Sequence, residues 1–477
     1  MKTRVLVGTI AATGLALGIG QMNAIALPAG EGEGLPSTGP DVIVGEIPDV
    51  ARYAPGTFNG IQYASYAIGS TSCNIGSTQL LWQPNPSNKH PTIPQNMYRV
   101  KNGAIEQIGM SWCKHGFCAL QETACGPCTP AGSGCPTVLG IGCSDPYTAS
   151  LNGAQNDLKG RGPINPSTGI FSGTYTDPTA PSGIPSSIRE RLAVARNDLD
   201  PALNAGAAYF GECQYIHPDD AAAGNDDNNA SYRRVNIGTT WSTTQGYSLT
   251  LTGATQRGLA GIYAWQSIHS DVVVKPIDVA GDGRFLVAYR ATDNGNGTWH
   301  YEYAIQNLNS DRCGGSFSVP VPAGVTVSNV GFKSPAYING EGYSNAAWAV
   351  SQANGLLTWT CEPNTNANAN ALRWATLYNF RFDADAPPVA GNAALGLWKA
   401  ATAGSPATSA AVPAIGPGVP APPCAAADSN CDGQVDGVDL GVLLSQWGGP
   451  GSMDLNGDNN VDGADLGIQL SQWGAVG

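Results

Sequence analysis

Charge is scarce in this sequence. Only 12% of its 477 residues are Asp, Glu, Lys or Arg, and Lys plus Arg number just 23. No stretch gathers them into a basic stripe, which excludes nucleic-acid binding, where Lys and Arg supply the affinity by neutralising phosphates. Long apolar runs are missing too: past Gly20 none approaches the roughly eighteen residues of a membrane-spanning helix. Histidine is limited to five residues (His90, His115, His217, His269 and His300), and no two share the spacing of a metal-ligand pair.

Glycine and proline are plentiful, at 62 and 34 residues, and favour a turn-rich, mainly β protein over a helical bundle. At the start, Lys2 and Arg4 precede an apolar run from Val5 to Gly20, and Ala24-Ile25-Ala26 offers a small-x-small cleavage site. This pattern predicts a signal peptide over residues 1–26 and a secreted protein beginning near Leu27. Export accounts for twelve cysteines, whose even number allows six bridges. Seven of them (Cys73, Cys113, Cys118, Cys125, Cys128, Cys135 and Cys143) define a Cys-rich β and loop region over 27–170. "CGPC" at Cys125–Cys128 has the letters of a redox motif but lacks the strand and helix that would activate it, so structural disulfides are expected.

Strand patterns follow. "RFLVAYRATDNGNGTWHYEYAIQNL" reads as a hairpin whose Asn-Gly turn supplies the positive φ required there. Period two puts Trp299, Tyr301, Tyr303 and Ile305 on one face and His300, Glu302 and Gln306 on the other. A second hairpin is expected around Asn354-Gly355, and "LYNFRF" forms a further strand. Together these predict a β-sandwich-like domain over 171–399. A possible capping box at Ser187 and Glu190, with Ile188, Leu192, Ala195 and Leu199 on one helical face, predicts a helix that Pro201 ends. The uncharged, Ala- and Pro-rich segment 400–423 reads as an extended linker.

The last segment, 424–477, carries eight Asp and no Glu, Lys or Arg. "DSNCDGQVDGVD" from Asp428 recurs as "DLNGDNNVDGAD" from Asp454, each followed by nearly the same helix pattern, "DLGVLLSQWG" and "DLGIQLSQWG". Counted along a calcium loop, Asp428, Asn430, Asp432, Gln434 (by its carbonyl), Asp436 and Asp439 occupy positions 1, 3, 5, 7, 9 and 12. Asp454, Asn456, Asp458, Asn460, Asp462 and Asp465 do the same in the second loop. Hard oxygen donors at these spacings suit Ca²⁺, and two ions are expected. Asn459 stands where the first loop has Gly433 at the sharp turn, which Asn tolerates.

Loop then helix, twice, after a Pro-rich segment closely resembles a type I dockerin. The resemblance implies a small, near-symmetric α-helical module, folded by two calcium ions, that docks onto a cohesin-type domain of another protein. Asp at position 12 agrees with the family. Gly437-Val438 and Gly463-Ala464 depart from the polar pairs that many dockerins carry at positions 10 and 11, so the resemblance does not identify the partner. A calcium-stabilised cap without a partner is the alternative.

For the body, "KHPTIPQNMYRVKNGAIEQIGMSWCKHGFCAL" with "GCSDPYTASLNG" resembles a group of dockerin-tailed secreted bacterial proteins and brings no mechanism with it. Three readings stand: a polysaccharide-degrading glycoside hydrolase, a carbohydrate-binding or surface-structural protein without catalysis, and a metal-dependent redox protein. Hydrolysis needs two carboxylates about 5–10 Å apart. Glu46, Glu106, Asp145, Glu212 and Glu302 are available, but no spacing singles out a pair. If the body is catalytic, His300 and Glu302 on one strand face are the candidates for acid and base, against an ordinary solvent-facing sheet surface. The acidic, Asn-rich stretch from His217, "HPDDAAAGNDDNN", is a further candidate calcium loop or a solvated turn.

Overall fold

The computed structural model describes residues 37–174, 182–338, 340–419, 425–430 and 432–475. The expected signal peptide lies outside these residues, as do Cys424 and Cys431. Strand makes up 41% and helix 10%, so the protein is mainly β, as its turn-rich composition predicts. No helix among the described residues is long and apolar enough to cross a membrane.

An eight-stranded antiparallel sheet runs in the order Leu249–Gln256, Ala230–Ile237, Ala208–Gln214, Gln95–Lys101, Ala104–Met110, Leu192–Ala195, Ile61–Ile68 and Val50–Phe58. It draws strands from both sides of position 170, so the expected boundary there does not separate two folding units. One face is covered by the Cys-rich loops, with Trp82, Ile93, Leu139 and Tyr147 buried against Tyr66 and Ile68.

The sandwich itself spans Val273 to Pro417 rather than 171–399. One of its sheets contains Val273–Asp278, Arg284–Asp293, Trp299–Asn307, Thr376–Ala384 and Val327–Lys333, in that order. The other contains Ala349–Ala353, Leu356–Thr360, Gly314–Pro320, Pro388–Leu397 and Ser409–Pro417. Between them Tyr301, Tyr303, Ile305, Phe317, Trp359, Phe380, Phe382, Leu395 and Val412 are fully buried. Both expected hairpins form, and Asn354 and Gly355 adopt the positive φ of a tight turn, 53° and 72°.

Two expectations are corrected. Residues 187–199 do not form one helix: Leu192–Ala195 is a central strand between Ala104–Met110 and Ile61–Ile68, followed by a single turn, Arg196–Leu199. Alternation decides it, since Leu192 and Val194 enter the same core at period two, while Glu190, at φ 69°, breaks any helix before them. The segment 400–423 is not simply a linker. Ser409–Pro417 pairs along Pro388–Leu397 as an edge strand, where proline is tolerated, and buries Val412 and Ala414.

Three disulfides staple the Cys-rich region: Cys73–Cys125, Cys118–Cys135 and Cys128–Cys143. The two cysteines of "CGPC" thus pair with different partners, as structural cysteines do. Cys113, Cys213, Cys313 and Cys361 are free and buried, so the described residues form three of the six bridges that the cysteine count allows.

Candidate functional site

The tail builds the same scaffold twice. Gly437–Ser445 and Gly463–Ser471 are helices, each opened by a capping box, Asp436 with Asp439 and Asp462 with Asp465. They close on a small core of Leu443, Met453 and Val461. In the first loop, the position-12 carboxylate of Asp439 accepts the N–H groups of Ser429 (2.8 Å), Asn430 (3.3 Å) and Asp436 (2.9 Å). In the second, Asp465 accepts those of Leu455 (2.7 Å), Asn456 (3.1 Å) and Asp462 (2.8 Å). Both carboxylates are fully buried.

At position 1, Asp428 accepts Gly433 N–H at 3.0 Å and Asp454 accepts Asn459 N–H at 2.7 Å. At positions 3 and 5, Asn430 donates to Asp432 and Asn456 to Asp458, both at 2.9 Å. Gly433 and Asn459 share the left-handed conformation, φ 85° and 67°, so Asn does fill the role of Gly at the sharp turn. Asp436 accepts Val438 N–H and Asp462 accepts Ala464 N–H, both at 2.8 Å. Gln434 and Asn460 donate their backbone N–H to Asp432 and Asp458.

Among the described residues no three His, Cys, Asp or Glu side chains converge as a metal-holding group, because the loop carboxylates are turned onto their own backbone. The donor set nevertheless fits a hard cation: every side-chain ligand is a carboxylate or carboxamide oxygen, and the tail supplies no Lys or Arg to compete for them.

In the body, His300 and Glu302 come together, with Nε2 and Oε2 3.5 Å apart. They are not on a solvent-facing sheet. Their face packs toward the eight-stranded sheet, Glu302 is 2% exposed, and its carboxylate also meets Arg381 Nε (3.2 Å) and accepts from Asn379 (3.1 Å). His300 Nδ1 bonds Asp383 at 2.6 Å. The hydrogen bond to Glu302, with Asp383 behind it, raises the His300 imidazole above its ordinary pKa. Burial raises the Glu302 carboxyl, against the pull of His300 and Arg381. Arg381 continues to Glu106 (3.4 Å), which Arg99 also holds (2.8 Å). Burial pushes the Glu106 carboxyl up, but Lys333, Arg99 and Arg381 together bring it below the usual range. Every group in this chain is engaged by a neighbour, an arrangement that ties layers together more readily than it receives a substrate.

The other nominated carboxylates are dispersed. Glu46 is exposed. Glu212 is fully buried and accepts from Asn96 (2.6 Å), Tyr98 (2.8 Å), Gln306 (2.8 Å) and Gly261 N–H. Asp145 accepts Leu120 N–H at 3.0 Å, and burial pushes its carboxyl up to about 7. From the acidic stretch after His217, Pro218–Ala223 is a short helix whose Asp220 is buried on Val42 N–H and Asn229.

One juxtaposition escaped the sequence. His90 Nε2 lies 2.9 Å from His115 Nδ1, because Thr92 and His115 pair across a short ladder. His90 Nδ1 donates to Gln83 O, which leaves Nε2 as the acceptor for His115. The repeated Lys-His pair in "NKHP" and "CKHG" was the only trace of it.

No family model matches the chain, and no curated protein matches it.

Proposed function

We propose that this is a secreted, calcium-dependent docking protein. Its tail folds around two Ca²⁺ ions and joins a cohesin-type or cell-surface partner, while its β-rich body binds or acts on extracellular polysaccharide. Asp428, Asn430, Asp432, Asp436, Asp439 and the Gln434 carbonyl hold the first ion. Asp454, Asn456, Asp458, Asp462, Asp465 and the Asn460 carbonyl hold the second. The observation that carries the reading is that the backbone N–H bonds to the carboxylates at positions 1, 5, 9 and 12 recur at the same positions in both loops. Two ions bring four positive charges to eight carboxylates that otherwise repel one another.

The helices offer matching apolar groups to a partner: Leu444 and Leu470 are 52% and 50% exposed, Trp447 and Trp473 48% and 49%. Equal exposure at equivalent positions suits a recognition face better than scattered surface residues. In the body, the full engagement of Glu106, Glu212 and Glu302 favours binding of polysaccharide over its hydrolysis.

Calorimetric titration of the chelator-treated full chain with CaCl₂ tests the metal reading. Two sites are expected, with Asp439→Ala removing one and Asp465→Ala the other. No calcium uptake, or two sites surviving in both variants, overturns it.

A further inference from the structure

A small cavity, open to solvent at its mouth, lies where the turn at Arg161 and Gly162 meets the sandwich. Glu341 reaches it from the long loop between Val327–Lys333 and Ala349–Ala353, flanked by Gly340 and Gly342 at φ 106° and 78°. Loops of this length are uncommon unless they serve a function. The Glu341 side chain is 4% exposed; one carboxylate oxygen accepts Arg161 N–H at 2.6 Å, and the other, Oε2, is buried without a hydrogen-bond partner among the described residues.

Arg373 forms the facing wall. Its guanidinium lies 3.7 Å from the Tyr343 ring centroid and 4.9 Å from that of Trp398. Nη2 donates to Ala367 O (2.8 Å) and Ala369 O (3.3 Å), whereas Nε is buried without a hydrogen-bond partner among the described residues. Lys399 and Asp311, 2.7 Å apart, complete the lining with a second donor beside a second acceptor.

An unsatisfied buried acceptor and an unsatisfied buried donor each cost about 1–3 kcal/mol, so a group that pairs both is favoured over one that pairs either alone. Carboxylate, sulfate and phosphate only accept, and would set a negative charge against Glu341. An ammonium only donates, and would face Arg373. A neutral hydroxyl both donates and accepts, and two adjacent hydroxyls also match the Lys399–Asp311 pair.

We propose that this cavity is a binding site for the vicinal hydroxyls of a neutral saccharide, with Glu341 and Arg373 as its central contacts. The inference rests on the polysaccharide reading of the body and gives that reading a place.

The experiment is a calorimetric titration of the full chain with glucose, galactose, mannose, xylose and their β-linked oligomers, with glucuronate and glucosamine as charged counterparts. At least one neutral sugar should bind, and its charged counterpart about tenfold or more weakly. Glu341→Gln should also weaken binding about tenfold: its amide oxygen keeps the Arg161 bond, so an NH₂ donor replaces the acceptor in the cavity. Asp311→Asn at the rim serves if Glu341→Gln fails to fold. Neutral sugar binding that neither variant alters overturns the site and leaves the polysaccharide reading intact. Tighter binding of a charged sugar overturns the hydroxyl argument. No binding by any sugar, with the cavity holding water only, overturns both.

Discussion

His115 and His217 are neutral because they are buried. Desolvation, reinforced for His115 by its neighbour His90, lowers their pKa values to about 3 and about 4. A depressed imidazole stabilises the fold fully above its unfolded value of about 6.5, and that stability is lost as pH falls through the folded values, at about 1.4 kcal/mol for each pH step between the two. Asp145 has the opposite sign. With its carboxyl pushed by burial from 3.8 to about 7, it contributes most below the unfolded value, and that contribution disappears as pH rises through 7. The two effects therefore oppose each other between about pH 4 and 7: the histidines lower the denaturant midpoint as pH falls, and Asp145 lowers it as pH rises. Over that range His217→Gln should make the fall of the midpoint toward acid shallower and Asp145→Asn should make it steeper; equal slopes in variant and parent would contradict this assignment. Neither effect is legible in the sequence, where nothing separates His217 from a solvated His or Asp145 from any other turn carboxylate. Burial of single residues is set by loops that meet only in three dimensions.

Elements were legible where local chemistry fixes them. Asn-Gly turns predicted both hairpins, and the spacing of Asp, Asn and Gly predicted both tail loops down to the left-handed Asn459. The candidate pair His300 and Glu302 was placed on one face correctly, but its burial was not foreseen, because the layer covering that face comes from residues about two hundred positions earlier. Segments 187–199 and 409–417 were misread for a related reason: a short alternating run decides its state by the gap it fills, and small or Pro-rich strands lack the β-branched signature. Val412 tests the second correction. As a fully buried residue of an edge strand, it should lose about 2 kcal/mol on Val412→Ala, whereas Val419→Ala, at a residue 77% exposed, should stay within about 0.5 kcal/mol. Similar small losses at both positions would restore the linker.

Across the whole molecule, one sandwich sheet is buried on both faces. On the far side Leu286, Ala304 and Leu377 pack with Tyr98, Val100, Ile105 and Phe210 of the eight-stranded sheet. The ion chain from Asp383 through His300, Glu302, Arg381 and Glu106 to Arg99 crosses the same junction. The body should accordingly unfold in one transition, with no separate melting of the sandwich. Arg381 is the joint in that chain, since it pairs with both Glu302 and Glu106. Arg381→Met would leave Glu302 buried with its main cation gone, and removing one partner of a buried pair costs about 3–5 kcal/mol. Glu302→Gln in the same chain takes away the stranded charge, so the double variant should regain most of that loss. The His300 contribution has its own pH signature. Because its folded pKa is raised by Glu302, the stability it adds is complete below about pH 6.5 and is lost as pH rises through the folded value. That dependence should weaken in Glu302→Gln, leaving the part that Asp383 supplies. Denaturant titrations of the three variants at two pH values measure all of this, and a double variant no more stable than Arg381→Met would show that the network does not couple the two layers.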